Sequence, residues 1–199
     1  MKTVAEQILK QAEALPEGAL ISAKEFLHVG SRAAVDQALK RLVERKELMR
    51  LYQGGYVRPV KSRFGTRAPA PEKVVAGIAA AQAVTVVPHG AAAANALGLT
   101  TQVPTKVVYL TSGRSRTLKL GAQTVQMKHA PEWMLLPAHS RAGQAVRALQ
   151  WVGRHRAPEA LRTLKRELTA PAVEELVSLR SALPAWMSKS ISETLLTHG

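Results

Sequence analysis

The sequence predicts an α+β protein, and three patterns carry that prediction. Apolar residues recur at helical spacing through residues 1–46, then give way to two short alternating runs about Gly54-Gly55. Alternation returns between Lys106 and Lys128, on either side of Gly121-Ala122. Residues 141–199 hold Pro158, Pro171 and Pro184, each opening a run with helical spacing.

Thr3-Val4-Ala5-Glu6 matches a capping box, in which the hydroxyl and the carboxylate each accept from the other residue's backbone N–H. Val4, Ile8, Ala12 and Leu15 share one face of the helix that follows, and Pro16-Glu17-Gly18 ends it. Leu20 and Ile21 lead into a second box, Ser22-Ala23-Lys24-Glu25, and a short helix with Phe26 and Leu27. His28-Val29-Gly30 makes a tight turn. Ser31 caps a third helix over residues 32–46. Its inner face is Val35, Ala38, Leu39, Leu42 and Val43; its outer face is Ala33, Gln37, Lys40, Arg41 and Glu44. Residues 48–52 and 56–58 alternate around Gln53-Gly54-Gly55 and predict a hairpin.

Helix, short helix, turn, helix, hairpin is the order of a winged helix-turn-helix. In such a domain a capped helix with a small polar first turn, here Ser31, Arg32 and Ala33, enters the DNA major groove. Gln37 suits a bidentate pair with an adenine edge, and Arg32, Lys40 and Arg41 suit phosphates. The hairpin would carry Gln53, Tyr56 and Arg58 toward the backbone or minor groove, and Lys61 and Arg63 extend the basic set. The bland alternative is that any amphipathic helix turns such a face to water. Winged helices also serve as protein-binding modules.

Residues 61–71 contain Gly65, Pro69, Pro71 and three basic side chains, with little periodicity. They divide the chain into a winged-helix domain at 1–62, a linker at 63–71 and an α+β domain at 72–199. Pro71 opens a helix over 72–81. Residues 84–87 form a buried strand ended by Pro88, and 89–98 a short helix stopped by Gly98. Residues 106–111 form a strand, and 117–120 with 124–128 a second hairpin. Ser140 caps a helix over 141–151 with Val146, Leu149 and Val152 on one side. The three proline-opened helices follow, over 159–168 (Leu161, Leu164, Leu168), over 172–179 (Val173, Leu176, Val177) and from 184 to near Gly199 (Met187, Ile191, Leu195). Arg147, Arg154, Arg156, Arg162, Lys165 and Arg166 cluster on these helices, while Trp151, Trp186 and Met187 read as core, with a partner-binding groove as the alternative.

The chain has 199 residues, 28 Lys+Arg and 14 Asp+Glu, a formal net charge of +14. That excess is far beyond what solubility needs and points to a polyanionic partner. It is spread along the chain. Residues 1–62 carry 11 basic and 7 acidic groups, 63–140 carry 8 and 2, and 141–199 carry 9 and 5. Hydrophobic residues make up 46%, enough for packed cores. There is no Cys, so disulfides, thiolate metal sites and Cys nucleophiles are excluded. No apolar run reaches the roughly 18 residues of a membrane span, and Met1-Lys2-Thr3-Val4-Ala5-Glu6 lacks a signal-peptide core. A cytoplasmic protein is expected.

The run Pro88-His89-Gly90-Ala91-Ala92-Ala93-Ala94-Asn95-Ala96-Leu97-Gly98-Leu99-Thr100-Thr101-Gln102-Val103-Pro104 resembles the signature of AbiEi-type antitoxins, and so does Tyr109-Leu110-Thr111-Ser112-Gly113-Arg114-Ser115-Arg116. These antitoxins belong to bacterial type IV toxin–antitoxin systems, which act in abortive infection and phage defence. The resemblance spans residues 1–135, winged helix included. It implies a transcriptional autorepressor that binds inverted repeats of double-stranded DNA in its own promoter. It also implies an antitoxin that counteracts a nucleotidyltransferase toxin encoded beside it, usually without a stable complex. A monomer or weak dimer, cooperative on DNA, would meet such an operator. Read without the resemblance, the same run has plain roles. Its alanines allow close helix packing, Gly98 and Pro104 shape loops, and Thr100, Thr101 and Gln102 cap turns.

Between Glu72 and Glu132 there is no carboxylate, and Asp36 is the only Asp. Metal-dependent phosphodiester cleavage needs carboxylates to hold its cation, so the sequence predicts no enzyme, no metal site and no cofactor. His28, His89, His129, His139, His155 and His198 are scattered without helical metal-ligand spacing. In the acid-poor stretch, Lys106, Arg114, Arg116, Lys119 and Lys128 suggest a second basic surface for DNA or RNA, with a solvated strand face as the alternative. The rival functions are a protein-interaction module and an RNA-binding regulator without promoter binding.

Overall fold

The computed structural model describes residues 3–63 and 65–196. Expectations that touch Met1, Lys2, Phe64, His198 and a helix end near Gly199 lie outside the described residues. The structure is α+β, with helices and several small sheets. Its chain forms two compact units: Met1–Val84 with Arg116–Gln126, and Thr85–Ser115 with Met127–Gly199.

In the first unit, α1 (Val4–Ala14) starts at the expected capping box. Thr3 Oγ1 accepts from the Glu6 N–H at 3.3 Å, and the Thr3 N–H donates to the Glu6 carboxylate at 2.8 Å. Leu15, extended ahead of Pro16, ends the helix. A two-residue strand, β1 (Ile21–Ser22), comes next. Sequence patterning misses it because two residues are too few to show alternation. The second capping box is only half formed, because the chain tightens into a 3-10 turn over Ala23–Phe26. The Ser22 hydroxyl therefore accepts from Lys24, at 3.4 Å, instead of Glu25. Partial burial raises the Glu25 pKa, against a hydrogen bond from the Ser22 N–H.

Helix α2 (Arg32–Glu44) is capped by Ser31, whose Oγ accepts from the Ala34 N–H at 3.3 Å. It ends two residues before the expected limit. Lys46 is left-handed at φ +58°, which turns the chain so that Glu47 and Leu48 both donate to the Leu42 carbonyl. Strands β2 (Met49–Tyr52) and β3 (Gly55–Val57) form the expected hairpin. Met49 pairs with Val57 and Arg50 with Tyr56, and a bulge at Leu51 lets Tyr52 face Gly55. With β1 beyond β3, the sheet order is β1-β3-β2. Ile8, Ile21, Phe26, Val35, Leu39, Leu42 and Leu48 fill the core beneath it. Each such side chain contributes about 1.5–3 kcal/mol when withdrawn from water.

The expected linker is structured. Strands β4 (Val60–Ser62) and β5 (Gly65–Arg67) pair in antiparallel register, and α3 (Pro71–Gln82) stays with the first unit. Glu17 gathers this segment. Its carboxylate accepts from the Lys73 ammonium and from the Ala70 N–H at 3.2 Å, and Arg67 lies 3.7 Å away. Lys73 first, then the Ala70 N–H, hold the Glu17 pKa below the ordinary value. The units therefore divide at 84/85, not at 63–71. The first unit also takes β8 (Arg116–Leu120), joined through left-handed Gly121 to β9 (Gln123–His129).

In the second unit β6 (Val86–Pro88) pairs antiparallel with β7 (Val107–Thr111), which neighbours β9 in the sheet. Helices α4 (Gly90–Ala96), α5 (Glu132–Leu135), α6 (Arg141–Val152), α7 (Ala157–Glu167), α8 (Ala170–Ser178) and α9 (Ala185–Ile191) complete it, and a π turn over Ser192–Leu196 follows. Helix α6 is the hub, with Ala142, Gly143, Ala145, Val146, Ala148 and Leu149 all buried. Helix α4 lies against it backbone to backbone, since a Cβ on Gly90 would stand 2.4 Å from the Arg147 carbonyl oxygen. Ala93 and Ala94, both fully buried, permit that approach. Asn95 ties down the loop beyond, donating to the carbonyls of Thr100 and Gln102. Thr100 caps as expected, accepting from the Gln102 N–H at 3.2 Å. Met187 is fully buried and Trp186 packs on the same core, but Trp151 is 36% exposed at the end of α6. Among the described residues no helix is long and apolar enough to cross a membrane.

Candidate nucleic-acid interface

Burial of Val35, Ala38, Leu39 and Leu42 forces the opposite side of α2 outward. Ser31, Arg32, Ala33, Gln37, Lys40 and Arg41 are all exposed there. The Ser31 hydroxyl is committed to the cap. Arg32 is held by Asp36 at 2.9 Å, one turn on, and Lys40 lies 3.9 Å from Glu44. Among the described residues Gln37 and Arg41 have no side-chain partner, so they are the groups on this face ready for a ligand. Exposed surface pairs of this kind contribute little and reopen readily, so Arg32 and Lys40 are screened, not removed.

Two depressions flank the helix. One, of about 500 Å³, runs between α2 and the hairpin and is lined by Arg32, Asp36, Lys40, Glu44, Arg50 and Gln53. The other, of about 550 Å³, lies toward α1 and includes Gln37, Arg41 and Arg45. The outer face of α2 is thus a ridge with a polar groove on the hairpin side and a mixed polar and apolar one toward α1. Exposed Gln53, at the hairpin tip, stands beside it as expected. Arg50, which sequence reasoning did not select, lines the same groove. Its position opposite Tyr56 in the register was the signal available.

Tyr56 also lines this groove, but it is only 8% exposed and packs largely into the core beneath the sheet, because it sits in the central strand. Other expected contacts do not join this face. Arg58 and Lys61 line a separate depression, together with Glu13, Glu17 and Glu47. Arg63 follows β4 at an exposed turn.

The residues of the expected second basic surface fall in both units. Arg116 and Lys119 belong to the first unit, Lys106, Arg114 and Lys128 to the second. Arg116 and Lys119 also occupy opposite faces of β8, because side chains alternate and Arg116 shares its parity with buried Leu118 and Leu120. Arg116 stacks over the Tyr52 ring, 4.8 Å from its centroid, and the Tyr52 hydroxyl accepts from Gln82 at 3.0 Å. This cation–π contact supports the hairpin from behind. The cluster on the C-terminal helices also loses a member: Arg147 is buried, 2% exposed.

The histidines have structural partners where the geometry defines them. His89 caps α4, its Nδ1 accepting from the Ala91 N–H at 3.3 Å, with its pKa lowered by burial and then by nearby Lys128. His129 Nδ1 lies 3.0 Å from the Gly113 carbonyl. Among the described residues no group of three or more His, Asp or Glu could hold a metal ion.

No curated protein matches the chain. Among solved structures it is similar to the RV2827C protein from Mycobacterium tuberculosis, at 16% identity and a TM-score of 0.52, covering 98% of this chain and 77% of that one. That likeness concerns the fold alone. The family model for DUF6088, a family of unknown function, matches residues 7–170, and the chain belongs to that family.

Proposed function

We propose that the first unit is a winged helix-turn-helix that binds duplex DNA with α2 as its recognition helix. The observation that carries this reading is the outer face of α2: a capped, small first turn followed by unpartnered Gln37 and Arg41, beside a hairpin tip. The element order helix, strand, short helix, helix, hairpin supports it. Gln37 reads bases, Arg41 and Lys40 hold phosphates, and the Gln53 turn meets the flanking backbone. On the resemblance to AbiEi-type antitoxins, the promoter of this gene is the DNA bound. The chain then acts as an autorepressor and as the antitoxin of a neighbouring nucleotidyltransferase.

The test is a gel shift on the DNA upstream of the gene, beside a scrambled duplex of equal length. Lys40→Ala with Arg41→Ala is expected to weaken binding to both duplexes and to lower the salt slope by about 2. Gln37→Ala is expected to lose about 1–3 kcal/mol of preference for the promoter while leaving scrambled DNA unaffected. Unchanged promoter affinity of the double variant at several salt concentrations would rule out this docking.

A further inference from the structure

Five of the second unit's basic side chains fall within 13 residues: Arg154, Arg156, Arg162, Lys165 and Arg166. Glu159 is the one carboxylate among them, so the stretch carries +4. The fold turns all five outward. Ala157, Ala160, Leu161 and Leu164 are buried against the helical core, which leaves Arg162, Lys165 and Arg166 on the exposed side of α7. Arg154 and Arg156 occupy the exposed turn that enters the helix, after left-handed Gly153.

These cations are not neutralised among the described residues. Among the described residues none of the five has an ion pair or a side-chain hydrogen bond, unlike Arg32, Lys40, Arg67, Lys73 and Lys189. Among the described residues neither Glu159 nor Glu167 is in an ion pair. Like charges spaced three and four residues apart on one helix repel in the free protein, so the surface gains when an anion covers it. Arg162 and Arg166 lie about 6 Å apart along the axis, while a duplex offers one phosphate per roughly 3.4 Å of each strand. A run of phosphates answers that spacing better than a single anion does. Arginine supplies four of the five, the side chain whose planar fork pairs phosphate in bidentate fashion.

We infer that α7 and the turn before it form a second DNA-binding surface, which grips the phosphate backbone of duplex DNA without reading its sequence. The inference rests on the proposal that the chain binds DNA. It assigns α7 the sequence-independent share of that binding.

The experiment compares the full chain with a triple variant, Arg162→Gln, Lys165→Gln and Arg166→Gln, by fluorescence anisotropy. The duplexes are the promoter and its scrambled counterpart, titrated across a range of salt. Affinity is expected to fall by the same factor on both, with the log–log salt slope reduced by about 3. Arg162→Lys with Arg166→Lys should keep most of the slope, which separates lost charge from lost folding. An unchanged slope overturns the inference. So does loss of binding to phosphatidylserine vesicles, or to an acidic protein, with DNA binding intact. A neutral α7 variant beside a damaging Lys40→Ala/Arg41→Ala variant sinks only this inference. A neutral α2 variant sinks the proposed function instead.

Discussion

Gly77→Ala is expected to destabilise the first unit by about 3 kcal/mol, although alanine is the better helix former. A Cβ on Gly77 would stand 2.2 Å from the Gly18 carbonyl oxygen, 3.0 Å from its carbon and 3.1 Å from the Ala19 Cα. All three are backbone atoms, so no rotamer change relieves the clash. Gly18 cannot retreat. It is left-handed at φ +83°, and a Cβ there would lie 2.4–2.7 Å from backbone atoms of Lys73 and Val74. Helix α3 thus rests directly on the turn that follows α1. Far-UV circular dichroism in urea should show an earlier loss of structure. Tryptophan fluorescence serves as the comparison, because Trp133, Trp151 and Trp186 all lie in the second unit. An unshifted circular-dichroism transition would mean that α3 does not sit on Gly18.

The same contact explains what the sequence hid. Capping residues and apolar periods announce α1, α2, the hairpins and the proline-led helices, because each signal is local. Gly18 and Gly77 signal a long-range approach, and nothing in a residue's neighbours tells a packing glycine from a turn glycine. Glu17 is equally opaque. Its role is to collect Arg67, the Ala70 N–H and Lys73 from a segment with the composition of a linker. The outer face of α2 was legible from its 3.6-residue period. The burial of Tyr56 was not, because the two-residue strand β1, which makes β3 central, leaves no pattern. Of the expected second basic surface one feature was legible: the two-residue period already sets Arg116 against Lys119 on β8.

Arg147 carries the other large effect. It sits in the middle of α6 among buried Ala145, Val146, Ala148 and Leu149, while Arg141 and Gln150 of the same helix are exposed. Its guanidinium donates to the carbonyls of Met134 and Ala138, each at 3.3 Å, and Nε has no partner among the described residues. The side chain thereby pins the connection between α5 and α6, and Pro137 lies so close that a Cβ on Gly143 would stand 1.9 Å from its carbonyl oxygen. Arg147→Ala should cost roughly 3 kcal/mol, from a cavity plus two carbonyls left without donors. Arg147→Met keeps the stem and sheds the buried charge, so it should cost less than half of that. Burial lowers the pKa of Arg147 to about 10. The unfolded chain therefore holds this proton more tightly than the native one. Below about pH 10 both forms are charged and the penalty is constant. Above it, the native state releases the proton first and the penalty shrinks. The stability difference between the native sequence and Arg147→Met should consequently be flat from pH 7 to 9 and move in favour of arginine above 10. In urea titrations over that range, a difference that stays flat to pH 11 would show that the buried guanidinium is better compensated than two carbonyls allow.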